Sequence, residues 1–149
     1  YIEYQRILHN EELKKTYTKD NNIDIVKKEE DFKTLYEVNK KYIPGAIEYI
    51  NSLILDNKDI VIVTNSSRER CDFIKKMHPE LVNIQHWITK SDVKHKKPNP
   101  EGYIKAMNMF SYNIDEYIIF EDSYTGFETI QNLNVAKGWV MNNEYYYKH

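Results

Sequence analysis

The sequence is poor in the features that mark secreted, membrane-spanning and nucleic-acid-binding proteins. Its 149 residues include one cysteine, Cys71, so no internal disulfide can form, which excludes the disulfide-stapled scaffolds of secreted proteins. No apolar run approaches the roughly 18 residues of a membrane helix. Lysine and arginine number 21 against 23 acidic residues, a net charge of −2, so no basic excess indicates nucleic acid or anionic lipid. A small-molecule substrate remains open, and we expect a cytoplasmic protein with no nucleic-acid or membrane partner.

The chain has enough apolar residues to bury a core, at 41% hydrophobic and 30% charged residues. Its length corresponds to one ordinary domain. Runs of β-branched and aromatic residues predict strands at 60–63, 84–88, 117–120 and 135–141. Helical spacing and capping residues predict helices between them, after Pro44, after Ser66 or Ser67, after Asn99-Pro100 and over 125–133. We expect Cys71 to be a buried small hydrophobe on the inner face of the second helix, and Tyr103 to be buried by the third. This alternation predicts an α/β fold with a parallel sheet sandwiched between helices.

Polar residues follow the predicted strands at the edge of the sheet where ligands bind in such folds. The first strand ends in Thr64-Asn65-Ser66-Ser67, whose hydroxyl, amide and backbone N–H groups either cap the next helix or bind an anion. Lys97 lies in a basic loop before Pro98, and is either solvated or directed at a phosphate. Both pairs of alternatives remain open from these residues alone.

Two adjacent carboxylates, Glu121 and Asp122, directly follow the strand at 117–120. They should repel each other unless a cation or hydrogen-bond donors compensate. Oxygen ligands of this kind suit Mg²⁺, which one or two carboxylates and a substrate phosphate usually hold. Alternatively, Asp122 bonds the backbone of the turn that leads to Gly126.

These three segments together resemble the haloacid dehalogenase superfamily, in its phosphatase and β-phosphoglucomutase-like branch. Residues 60–66, 97–103 and 120–126 are similar to the second, third and fourth family motifs, in the same order and each at a strand end. The resemblance covers roughly residues 43–140. It implies a Rossmann-like core over 43–141 that lacks its first strand, a partial helical cap over 1–42 and a tail over 142–149.

The resemblance also implies a role for each matching residue. Thr64 would bond the transferring phosphoryl group, with Asn65 and Ser66 beside it. Lys97 would bridge the phosphate and the nucleophilic carboxylate. Asp122 would ligate Mg²⁺, assisted by Glu121. We therefore expect a Mg²⁺-dependent phosphohydrolase for a small phosphorylated metabolite. The alternatives are a phosphomutase and a catalytically inactive phosphate-binding or interaction module.

The first family motif, a strand followed by Asp-x-Asp, has no match in these 149 residues. Its first Asp would form the aspartyl-phosphate and its second would act as general acid and base. We expect that the chain is the carboxyl-terminal portion of a longer protein whose Asp-x-Asp lies about 40 to 60 residues before Tyr1. The alternatives are a degenerate family member, or a central strand formed by residues 1–8 without the aspartates.

Overall fold

The computed structural model describes residues 30, 32–34, 36, 37, 42, 44–110, 113, 116–133 and 138–140. The predicted tail and nearly all of the predicted cap lie outside these residues, so both stay predictions. The chain divides into two compact units, Tyr1–Ile50 and Asn51–His149. All the residues of the candidate site belong to the second unit.

The described elements alternate between strand and helix in chain order. The helices are α1 (Ala46–Leu55), α2 (Arg68–Met77), α3 (Glu101–Met107) and α4 (Tyr124–Gln131). The strands are β1 (Val61–Val63), β2 (His86–Ile88), β3 (Ile119–Glu121) and β4 (Gly138–Val140). Two 3₁₀ turns, Pro79–Asn83 and Lys90–Asp92, lie on either side of β2. The predicted alternation is therefore confirmed, although the observed strands are shorter.

The strands pair in parallel, as the α/β prediction requires. β1 pairs with β2, with Val61 opposite His86, and β3 pairs with β4, with Ile119 opposite Gly138. Helix α2 connects the first pair and helix α4 the second, so each pair is a βαβ unit. Among the described strands β1 and β3 are not paired with each other. No helix within the described ranges is long and apolar enough to cross a membrane.

Helix α2 begins as its sequence predicts. The Ser67 side chain accepts a hydrogen bond from the Arg70 N–H at 3.4 Å, which satisfies one of the unpaired amides of the first turn. Cys71 follows on the inner face and is 1% exposed, so the prediction of a buried small hydrophobe is confirmed. Helix α3 differs from its prediction: Pro100 occupies the cap position, while Asn99 Oδ1 accepts a bond from the Glu101 N–H at 3.0 Å.

A small apolar cluster contains residues of β1, β3, α3 and α4 and the residue Leu133 that follows α4. Tyr103, Ile119 and Leu133 are buried together, and three partly buried residues pack against them: Val63, Met107 and Ile130. The cluster joins α3 and α4 to the two strands whose ends carry the predicted site. It thereby fixes where the residues that follow β1 and β3 can lie.

Candidate active site

Thr64, the first residue after β1, is tied to its surroundings through its main chain and its hydroxyl. Its N–H donates to the Ile88 carbonyl at 2.9 Å, which extends the β1–β2 ladder by one bond. Its Oγ1 accepts a bond from the Ser66 N–H at 3.1 Å. The Ser66 carbonyl accepts from the Lys90 N–H at 3.0 Å. Since the hydroxyl acts as an acceptor here, its proton can still be donated to a ligand.

Asn65 bonds the main chain of Lys97, 32 residues further along the chain. Asn65 Oδ1 accepts the Lys97 N–H at 3.0 Å, and Asn65 Nδ2 donates to the Lys97 carbonyl at 3.3 Å. Both ends of the side-chain amide are therefore engaged. The segments expected to bind phosphate are joined at this point.

The Lys97 ammonium is buried in an ion pair with Glu121. Nζ lies 2.5 Å from Glu121 Oε2, and the side chains are 12% and 6% exposed. The Tyr103 hydroxyl contacts both groups: it accepts from Lys97 Nζ at 3.0 Å and donates to Glu121 Oε2 at 2.8 Å. The same ammonium lies 4.8 Å from the centroid of the Tyr103 ring. A charge this buried requires such partners, because its desolvation would otherwise be very costly.

Glu121 is saturated with hydrogen bonds. Besides the two bonds to Oε2, its Oε1 accepts from the Asp122 N–H at 3.1 Å, the Ser123 N–H at 3.2 Å and the Ser123 hydroxyl at 2.9 Å. Burial acts to raise the pKa of Glu121, but the Lys97 charge and these donors outweigh it, so the pKa is lowered and the carboxylate stays ionised. Glu121 thus holds the Lys97 ammonium through Oε2 and the residues that precede helix α4 through Oε1.

Gly126 provides the space for the Glu121 carboxylate. A Cβ placed on Gly126 would overlap the Glu121 carboxyl group. The Gly126 N–H donates to the Ser123 hydroxyl at 3.1 Å, which closes the first turn of α4. The glycine at this position is therefore explained by the close approach of a carboxylate to the helix.

Asp122 is exposed, in contrast to the buried Glu121 beside it. The pKa of Asp122 is raised, because partial desolvation of its carboxyl group and the neighbouring Glu121 charge both disfavour ionisation. A cation near Asp122 would relieve both effects. Over the described part of the chain, no three His, Cys, Asp or Glu residues form a metal-binding group. The metal-ligand role predicted for Asp122 therefore stays a prediction, and it would need ligands from elsewhere.

Further bonds hold the loop that carries Lys97. Glu101 accepts the N–H groups of Lys94 at 2.9 Å and His95 at 2.8 Å, and these bonds lower the pKa of Glu101 to about 2. At the other side of the loop, Asn132 Nδ2 donates to the Pro98 carbonyl at 3.4 Å. The loop is therefore fixed from α3, from the end of α4 and from Asn65.

The structure brings together most, but not all, of the predicted site residues. Asn65, Lys97 and Glu121 are linked by direct contacts, and Thr64 and Ser66 lie next to Asn65. Among the described residues, no hydrogen bond or ion pair joins Asp122 to Lys97. The roles predicted for all six residues stay predictions. Sequence reasoning placed Tyr103 in the core but missed its hydroxyl bonds. The general tendency of a buried tyrosine hydroxyl to seek a partner was the available signal.

The fold and this site define an α/β protein with a charged cluster at the carboxyl ends of parallel strands. The chain belongs to the haloacid dehalogenase-like hydrolase family, whose model matches residues 2–140. The resemblance predicted from the three motifs is thereby confirmed.

Curated relatives have phosphatase names. Glycerol-1-phosphate phosphohydrolase 1 of Saccharomyces cerevisiae is 31% identical over 108 residues, which cover 60% of this chain and 41% of the relative. Validoxylamine A 7'-phosphate phosphatase of Streptomyces hygroscopicus subsp. limoneus is 29% identical over 84 residues, which cover 56% and 39%. The chain thus matches about two fifths of the length of these relatives.

The fold is also similar to that of a solved structure from Thermotoga maritima, assigned as a β-phosphoglucomutase. The TM-score is 0.75, with 16% sequence identity, over 94% of this chain and 70% of the other. At this identity the likeness shows the fold, and it confirms the predicted Rossmann-like α/β class.

Proposed function

We propose that the full-length protein is a Mg²⁺-dependent phosphohydrolase that acts on a small phosphorylated metabolite in the cytoplasm. The observation that carries the proposal is the buried Lys97 ammonium, held by Glu121 and Tyr103 and joined through Asn65 to the loop that follows Thr64. A fixed cation that lines the same cavity as the Thr64 hydroxyl, which can still donate its proton, is suited to a phosphoryl group, whose charge the cation would offset. The family and the names of the relatives support the same reaction class.

The roles follow from the position of each group. Thr64 retains a hydroxyl proton that it can donate to a phosphoryl oxygen. Lys97 neutralises the charge that builds up during transfer, and Glu121 keeps the ammonium in place. The nucleophile is proposed to be the first aspartate of an Asp-x-Asp segment that precedes Tyr1 in the full-length protein. It would attack phosphorus and form an aspartyl-phosphate as the ester P–O bond breaks, and the second aspartate would protonate the leaving alcohol. The second aspartate would then take a proton from the water that hydrolyses the aspartyl-phosphate and releases inorganic phosphate.

Mg²⁺ would be held by Asp122, together with the substrate phosphate and a carboxylate of the proposed Asp-x-Asp segment. The donor set fits this ion, because Mg²⁺ is usually bound through one or two carboxylates and phosphate oxygens. When bound, the ion would offset charge on the phosphoryl oxygens. Glu121 contributes indirectly, since its two oxygens already accept five hydrogen bonds.

Phosphate release by the full-length protein tests this proposal. Para-nitrophenyl phosphate and a panel of small phosphate esters, including glycerol 1-phosphate, are assayed with Mg²⁺ and with EDTA. We expect turnover with Mg²⁺, loss with EDTA, and loss in Asp122→Ala. Asp72→Ala is the matched control, because Asp72 is an exposed aspartate on helix α2 and has no part in the contacts described for the site.

The inactive-module alternative makes the opposite prediction. If a full-length protein with an intact Asp-x-Asp segment releases no phosphate from any ester of the panel, the enzyme proposal is wrong. Residues 1–149 alone are expected to have negligible activity, and measurable turnover by them would refute the assignment of the nucleophile.

A further inference from the structure

We infer that Asn65 is a positioning residue for Lys97 and does not itself bind the phosphate. This inference rests on the proposed function, since it concerns the same reaction. It also departs from the role that the family resemblance implied for Asn65.

The geometry of the side-chain amide carries the inference. Its oxygen accepts the Lys97 N–H at 3.0 Å and its nitrogen donates to the Lys97 carbonyl at 3.3 Å. The two groups belong to one residue, so Asn65 fixes both the position and the orientation of the Lys97 backbone. Rotation of the side chain toward a phosphate would break both bonds, so in this orientation only the second Nδ2 N–H of Asn65 is left for a ligand.

Asn65 also adjoins Thr64, the proposed phosphoryl ligand on the other segment. The chain segments of Thr64 and Lys97 come from different elements, and the Asn65 amide is a direct bond between them. It therefore constrains where the Lys97 backbone, from which the ammonium side chain extends, lies relative to the segment of Thr64. Two exposed neutral bonds of this kind are each worth only about 1 kcal/mol of stability. Their effect on a reaction can be larger, because a misplacement of about 1 Å can cost roughly a hundredfold in rate.

The two roles of Asn65 predict different kinetics. Loss of a direct phosphate ligand would weaken binding of both the ester and inorganic phosphate, and so raise KM and the inhibition constant of phosphate. Loss of a positioning residue would lower kcat and leave both binding constants nearly unchanged.

The test uses the full-length protein with Asn65→Ala, Asn65→Asp and, as the matched control, Asn51→Ala, which alters an exposed asparagine on helix α1. We expect kcat for para-nitrophenyl phosphate to fall about tenfold to a hundredfold in Asn65→Ala, with KM and the phosphate inhibition constant within about twofold of wild type. Asn65→Asp keeps the acceptor for the Lys97 N–H but replaces the donor with a negative charge that repels phosphate, so this variant serves the exchange measurement below and not the comparison of KM values. Asn51→Ala should match wild type.

A second measurement does not depend on turnover. Hydrogen exchange of the Lys97 amide, followed by NMR, should accelerate in Asn65→Ala and less so in Asn65→Asp. Unchanged Lys97 exchange in Asn65→Ala would overturn the pairing, and a raised KM with an unchanged kcat would overturn the positioning role. If wild type releases no phosphate, the proposed function and the catalytic part of the inference both fail, while the exchange rates still decide whether Asn65 holds Lys97.

Discussion

Substituting Gly126 should damage the candidate site through a single added methyl group. In Gly126→Ala the new Cβ would overlap the Glu121 carboxyl group, so the carboxylate has to leave its place against helix α4. It would lose the ion pair with Lys97, whose side chain is only 12% exposed. Breaking a buried pair typically costs about 3–5 kcal/mol. The gain in helix propensity from Gly to Ala returns about 1 kcal/mol, so we expect a net destabilisation of roughly 2–4 kcal/mol.

A double-mutant cycle separates this steric mechanism from a general effect on the helix. Urea unfolding of the full-length protein, followed by circular dichroism, gives the free energy of unfolding of each variant. In a Glu121→Ala background the obstructing carboxylate is absent, so Gly126→Ala should become neutral or stabilising by up to about 1 kcal/mol. An equal destabilisation by Gly126→Ala in both backgrounds would refute the reasoning.

Two further predictions concern the same cluster. Tyr103→Phe removes the hydroxyl that bonds both Lys97 and Glu121. We expect the free energy of unfolding in urea to fall by about 1–3 kcal/mol. An unchanged free energy of unfolding would contradict the described contacts. The pKa of Glu121 in the folded state lies below its value of about 4.3 in the unfolded chain. The ionised Glu121 carboxylate therefore contributes its full stability above about pH 4.3, and this contribution is lost as the pH falls through the lower folded-state pKa. The melting temperature should therefore fall more steeply on acidification in wild type than in Glu121→Gln, and parallel curves would be the contrary result.

The order of strands and helices was predictable because the signals are local. Residues 60–63 form a continuous β-branched run, and β1 occupies most of it. A serine at the end of that strand predicted the cap of α2, and Ser67 fills it. The third strand was predicted to begin at Tyr117 but begins at Ile119. The Tyr117 hydroxyl instead donates to the Met107 carbonyl at 2.7 Å, a contact with the end of α3 that a local pattern does not contain.

The components of the candidate site were predictable, but their connections were not. Lys97 was identified from its place in a basic loop before Pro98, and Glu121 from a strand predicted to end at Phe120. The prediction of the strand end is wrong, since Glu121 is the last residue of β3. The sequence offered no reason to pair the two residues. Helical spacing indicated that Tyr103 faces the core without indicating what its hydroxyl meets. Asn65 is an ordinary residue to find at the start of a helix, and its bond to a loop 32 residues away depends on the tertiary structure.

The central claim is that the buried Lys97 ammonium serves phosphoryl transfer. The most direct measurement is kcat/KM for Mg²⁺-dependent phosphate release by the full-length Lys97→Ala protein, compared with Lys76→Ala, which removes an exposed lysine on helix α2. We predict that Lys97→Ala loses a factor of about 10²–10³, the usual effect of removing a preorganised electrostatic group, while Lys76→Ala matches wild type. Equal values for wild type and both variants would contradict the account.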